Sequence, residues 1–351
     1  MMKSLLRRRA IVLIRAVVSL SMASSLAILS VACAQSSDPP AVTGEATAKY
    51  VFTFPGVGTD STGIDAIALA NKKGWFAEEG IEIRDAGAIA IPEFVPALLS
   101  GSITGATLMT SNGIAANDNG ADLVQVAVNS YTTKDRPHMI FVVAKDSPIK
   151  KATDLVGKRI AVPALDGCNS GFPLEYLKQG GVNEPSKAIT FITMPPEAVV
   201  TALERGEADV AGLHVTLEQT ATLYPDVRVL FTDYDILGTK GGDISYWFPR
   251  SYVEQNEDAI AAFVRVVAKT NNWMLDNPEE ALEYYQTEVN PQANKELISA
   301  PHWAEDALID PSHIQVWIDI LSEKDSFQEP LKSIPDLESL YTNEYNPLSK
   351  N

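Results

Sequence analysis

The chain has 351 residues, 46% hydrophobic and 21% charged, a composition that suits a folded protein with room for two cores and excludes general disorder. Its formal charge is −17, and the first 32 residues hold five basic residues and no acid, which leaves 23 basic against 45 acidic residues in the remainder. Such a surface repels phosphate backbones and anionic lipid heads, so nucleic-acid binding and polybasic membrane attachment are set aside.

Residues 1–34 read as an export signal, with Lys3, Arg7, Arg8 and Arg9 at the start, an apolar stretch from Ala16 to Ala32, and small residues at its end. Ser30-Val31-Ala32-Cys33 resembles the lipobox of bacterial lipoproteins, in which the cysteine takes lipid, although Leu29 lies one place further from Cys33 than the usual leucine. Ala32-Cys33-Ala34 also fits ordinary cleavage after Ala34, so both routes stay open, with lipidation of Cys33 preferred. Residues 35–49, rich in Ser, Pro, Thr, Ala and Gly, read as a flexible tether. With Cys33 lipidated or removed, Cys168 is the remaining thiol, which excludes an intrachain disulfide. A cysteine-based metal site is excluded likewise, His138, His214, His302 and His313 are scattered, and no cofactor or metal is expected.

Tyr50 to Phe54 alternates like a strand and leads through a polar loop into a helix carrying Ile64, Ile67 and Ala68. Lys72 and Lys73 suit the helix C-terminus, Gly74 ends it, Trp75 and Phe76 plug the turn into the core, and a new strand runs to Ile83. Apolar runs at 123–128, 139–144, 159–162, 189–192 and 227–231 alternate with helical patterns, which predicts a mixed α/β architecture. Ala97 to Ala106 and Ala202 to Ala211 echo each other at an offset of 105 residues, each as helix, terminating glycine, turn and strand. Either the two halves repeat one design, or this is a unit that any α/β protein contains. Beyond Asp243 the pattern is mostly helical, with segments starting near Ser251, Pro278, Pro291, Ala304 and Pro311, and the longest from Asn256 to Leu275.

Polar strand-to-helix loops are where α/β proteins hold small ligands. Three stand out: Thr59-Asp60-Ser61-Thr62, Thr110-Ser111-Asn112-Gly113 and Asp166-Gly167-Cys168-Asn169-Ser170-Gly171. In the third, backbone N–H groups at a helix start attract an anion or polar headgroup and Asn169 and Ser170 add hydrogen bonds; simple capping accounts for the same residues. Asp166 opposes an anion there. His214 is a candidate donor, Tyr246 and Trp247 read as an apolar wall or as core, and Arg136 and Arg250 are cations without an assigned place.

Ile67 to Ile83, IALANKKGWFAEEGIEI, resembles the opening segment of solute-binding proteins of sulfonate, taurine and nitrate ABC transporters, related to the thiamin-pyrimidine binders. Leu203 to Ala211, LERGEADVA, and Lys151 to Val162, KATDLVGKRIAV, are similar to two further segments of that family, and the likeness runs in order from about residue 50 to residue 280. Thr104 stands where the family often has aspartate, and Gly212-Leu213-His214-Val215 where it often has tryptophan and a second aspartate. The resemblance implies an α/β, two-lobed periplasmic binding protein fold of class II with two crossover strands, near Phe141 to Lys145 and near Asp233 to Asp243. Residues 50–142 and 235–351 would form lobe 1 and 143–234 lobe 2. It further implies capture of a small polar solute, sulfonate-, taurine- or nitrate-like or a pyrimidine-like heterocycle, by a monomer in the periplasm or on the outer membrane face, with ABC permease subunits as partners. A ligand-sensing module uses the same clamp. An enzyme is the competing class, with Cys168 at a helix start as nucleophile, for which no paired base is identifiable.

Overall fold

The computed structural model describes residues 48–60, 63–165, 167–323 and 330–349. The leader with Cys33, most of the tether, Ser61, Thr62 and Asp166 lie outside the described residues.

The strands are β1 (Tyr50–Phe54), β2 (Ile81–Asp85), β3 (Ala106–Met109), β4 (Leu123–Thr132), β5 (Ile140–Ala144), β6 (Arg159–Val162), β7 (Thr190–Thr193), β8 (Val210–Leu213), β9 (Val227–Thr232), β10 (Gly241–Pro249) and β11 (His302–Trp303). Between them lie α1 (Ala66–Lys72), α2 (Trp75–Glu78), α3 (Phe94–Ser100), α4 (Thr110–Asp118), α5 (Gly167–Gln179), α6 (Pro185–Ala188), α7 (Val199–Glu204), α8 (Leu217–Leu223) and α9 (Asp233–Leu237). The later helices are α10 (Arg250–Gln255), α11 (Glu257–Asp276), α12 (Pro278–Tyr284) and α13 (Pro311–Ser322). No helix among the described residues is long and apolar enough to cross a membrane.

β1 and β2 pair in parallel, a four-stranded antiparallel sheet has the order β11-β4-β10-β3, and a five-stranded mixed sheet has the order β7-β6-β8-β5-β9. The backbone of Thr104 donates to the carbonyl of Thr53, tying the segment before β3 to β1, and the ring of Phe54 stacks on Phe263 at 5.6 Å, so β1 and α11 share one core. In the other sheet Phe141 stacks on Phe231 at 4.5 Å. Burying such side chains contributes on the order of 2 kcal/mol each, which is why the two cores sit where the apolar runs cross.

The chain leaves the four-stranded sheet after Thr132 and is in the five-stranded sheet from Ile140, which already pairs with Leu213 and Thr232. The first passage is therefore 133–139, ahead of the stretch expected from Phe141 to Lys145; the return falls at 233–240 and contains α9. A buried knot ties the two passages together. Thr132 Oγ1 accepts from the backbone N–H of His138 at 2.9 Å and donates to Asp233 Oδ1 at 2.9 Å, while the Asp233 N–H donates to the Met139 carbonyl at 3.1 Å. Burial pushes the Asp233 carboxyl up to about 7 against these hydrogen bonds.

Several local expectations change. After Gly74, whose φ of 79° is left-handed, Trp75 and Phe76 begin a further helical turn, and a second glycine at 80 starts β2. Phe76 is buried, whereas Trp75 lies edge-on to Trp273 and is half-buried. The segment after Pro291 is irregular, because no apolar period follows that proline, and only a single turn, Glu305–Ala307, forms after Ala304. The two echoing segments are alike in structure: Gly101 and Gly206 have φ of 73° and 69°, and the carbonyls of Ala97 and Ala202 each accept from the two N–H groups at positions five and six residues on.

Candidate functional site

A cavity of about 510 Å³ lies between the two sheets. One side is formed by the β1–α1 loop with Gly56, Thr59 and Asp60, by Phe94, and by the β3–α4 junction with Met109 and Asn112. The facing side is formed by His138 in the first passage, the start of α5 with Cys168 and Asn169, and His214 just beyond β8.

Local chemistry explains each placement. Asp65 caps α1 by accepting from the Ala68 N–H at 3.0 Å and also takes the Gly58 N–H at 2.7 Å, which curls the preceding loop over the helix start. Tyr285 and Asn290 fasten that loop from the far end of the chain, both donating to the Asp60 carbonyl at 2.9 Å. The Thr59 hydroxyl donates to the Gly56 carbonyl at 2.7 Å. Thr110 to Gly113 and Gly167 to Gly171 are already helical, so the presumed loops are first turns of α4 and α5, which line the cavity through Asn112 on one side and Gly167, Cys168 and Asn169 on the other.

Thr59, Asp60, Asn112, Cys168, Asn169 and His214 therefore line one cavity. Ser61 and Thr62 lie outside the described residues. Ser111 is turned into the protein at 3% exposure, and Ser170, half-buried in α5, is not among the residues lining the cavity. Trp247 is corrected from candidate wall to core: it is fully buried on β10, and a Cβ added at Gly113 would lie 2.5 Å from its ring, so α4 rests directly on the indole. Tyr246 is buried too, its hydroxyl donating to Asn129 Oδ1 at 3.1 Å. Arg136 donates to the Ala300 carbonyl and Arg250 pairs with Asp122, so neither reaches the cavity, and no lysine or arginine is among its lining residues.

One arrangement was not legible in the sequence. His138, Cys168 and His214 come together, with one ligand-type atom from each lying within 4.8 Å of the others, so two of the four histidines read as scattered meet beside the single remaining thiol. Cys168 Sγ is 3.6 Å from His214 Nε2, and the His138 and His214 rings meet edge to face at 5.0 Å. Desolvation holds the His214 imidazole down to about 4, so it is uncharged at neutral pH.

A family model described as NMT1/THI5 like matches residues 61–281. The chain is 27% identical over 247 residues to the formylaminopyrimidine-binding protein of Halalkalibacterium halodurans, an alignment covering 66% of this chain and 68% of that protein. It is 29% identical over 133 residues to the taurine-binding periplasmic protein of Escherichia coli, 37% of this chain and 40% of that one. Among solved structures it superposes on the periplasmic aliphatic sulphonate binding protein of Escherichia coli with a TM-score of 0.55 at 23% identity, over 71% of this chain and 80% of the other. The fold is that of a periplasmic binding protein, as the sequence implied.

Proposed function

The chain belongs to the NMT1/THI5-like family, and we propose that it is the extracytoplasmic solute-binding component of an ABC importer, capturing a small polar solute between two lobes. One lobe takes residues 48–132 and the described residues from 241 on, around the four-stranded sheet, the other the middle of the chain around the five-stranded sheet, and the passages at 133–139 and 233–240 are the hinge. The observation that carries this reading is the 510 Å³ cavity, within the usual range for small-molecule pockets and lined by strand ends and helix starts of both sheets. A solute there touches both lobes and favours the closed state by its differential affinity for it. Thr59, Asp60 and Asn112 contact it from one side, Cys168, Asn169 and His214 from the other. The chain hands it to permease subunits and acts as a binder, not an enzyme.

For the solute class, the N-termini of α4 and α5 favour a sulfonate-, taurine- or nitrate-like anion. A second reading, a neutral pyrimidine-like heterocycle, is favoured by the lack of lysine and arginine among the lining residues and by Asp60 at the rim. A thermal-shift screen with taurine, alkanesulfonates, nitrate and aminopyrimidines separates them: the true class at about 100 times its Kd stabilises the protein by about 2.7 kcal/mol. A protein that responds to none of them, or that turns its ligand over, overturns the reading. Anchoring through lipid on Cys33, with residues 35–49 as tether, is part of the proposal; the intact mass of the membrane-extracted protein distinguishes it from cleavage after Ala34.

A further inference from the structure

We propose that His138, Cys168 and His214 form a three-ligand site for a borderline-to-soft transition-metal ion, of which Zn²⁺ is the reference, open on its fourth side to the cleft. The donors come from three independently fixed elements. His138 is held by its backbone bond to Thr132 Oγ1 at 2.9 Å and is followed by Met139 and Ile140, both fully buried. Cys168 sits in the first turn of α5, backed by buried Phe172, and His214 follows Leu213 at the end of β8. A tetrahedral ion with metal–sulfur and metal–nitrogen bonds of about 2.3 and 2.05 Å sets sulfur and nitrogen about 3.5 Å apart. Cys168 Sγ and His214 Nε2 are 3.6 Å apart, and all three donors fall within 4.8 Å, so a small inward rotation of His138 completes the face.

The donor chemistry fixes the class of ion. Two imidazoles and a thiol disfavour Mg²⁺ and Ca²⁺, which take oxygen ligands, and suit zinc, copper or cobalt. Three protein ligands with a free fourth position are the pattern of a metal that also binds a small molecule or water. The cluster also faces a cavity whose lining includes no lysine or arginine. A divalent ion held by one thiolate leaves a net positive charge there, and a donor atom of the captured solute can take the open position. The metal site does not depend on the import reading, since its test is read without any solute.

The test titrates the full chain, stripped with a chelator, with Co²⁺ and with Zn²⁺ in competition with a chromophoric chelator. One equivalent of Co²⁺ gives a near-ultraviolet thiolate-to-cobalt charge-transfer band with the visible bands of a tetrahedral centre. Cys168→Ser loses the charge-transfer band while keeping its thermal transition, and Cys33→Ser retains it. His138→Ala and His214→Ala each weaken Zn²⁺ by at least about 100-fold, more than the loss of an outer-shell partner. Absence of the band in the unmutated protein, or Zn²⁺ binding by Cys168→Ser within about threefold of it, overturns the proposal.

Discussion

On one side of the cleft β3 ends at Met109 and runs straight into α4; on the other, β8 ends at Leu213 and His214 follows, 105 residues beyond Met109. The frames behind them are alike, down to the left-handed glycine and the paired N–H groups on a single alanine carbonyl. Yet the β3–α4 junction and Phe94 beside it offer a thioether, a carboxamide and a phenyl ring, whereas His138, Cys168 and His214 on the second side offer two imidazoles and a thiol. Duplicate backbone thus delivers strand ends to one place, and the residue at each end decides what that place can bind. The supports differ as well. The first side is held by aromatic packing, α4 lying on Trp247, whereas the second hangs from the polar knot of Thr132, His138 and Asp233.

The strongest way to break this contrast is to remove the indole under the first side. Trp247→Ala should cost about 3–5 kcal/mol of unfolding free energy by urea denaturation, since it empties a fully buried site beneath Gly113. A cost below about 1 kcal/mol with lost solute binding would return Trp247 to the cavity wall.

For the second side the corresponding lever is pH. The Asp233 carboxyl is raised from an ordinary 3.8 to about 7, so the unfolded chain ionises it first and folding stability falls as pH rises from about 4 to about 7, then levels. Asp233→Asn removes that titration and keeps an oxygen for the Thr132 hydroxyl and the Tyr234 N–H, both bonded to Oδ1. Relative to the parent, the variant should gain up to about 4 kcal/mol between pH 4 and pH 8. Chemical denaturation at both pH values checks it, and a pH-independent difference refutes the assignment.

These two supports also mark how far the sequence could be read. The strand period placed β1 and β6 to the residue and α11 to within one residue at each end, because each is bounded by turn residues and carries one clear period. It could not place Trp247, because β10 is covered on both faces and nearly every position along it is buried, which erases the alternation that separates core from wall. Nor could it assemble His138, Cys168 and His214, which are separated by 30 and 46 residues and meet only because β5, β6 and β8 lie near one another in an order that periodicity does not encode. Pro291 misled for a simpler reason: proline favours a helix start, but Asn290 before it is engaged with the Asp60 carbonyl and no amphipathic run follows.

The contact between the two sides gives a smaller effect. A Cβ added at Gly167 would sit 3.0 Å from Asn112 Oδ1 across the cleft. Gly167→Ala should therefore penalise the closed state by about 1 kcal/mol, weakening solute affinity about fivefold with little change in melting temperature. Calorimetry with the solute found by screening measures it; unchanged affinity would mean that α4 and α5 do not close on each other.

Ser111 should give the smallest change, and it separates the front of the first side from its back. Its hydroxyl is buried and has no hydrogen-bond partner among the described residues, while its neighbour Asn112 reaches the cavity. Ser111→Ala removes a polar group that burial leaves unsatisfied, so unfolding free energy should be unchanged or rise by at most about 1 kcal/mol. Solute affinity should stay within about twofold, because α4 turns Ser111 toward the core. A tenfold loss of affinity at constant stability would show instead that the helix start rotates Ser111 into the cleft when the solute is captured, and the start of α4 would then present a second polar side chain beside Asn112 in the closed state rather than a packed one.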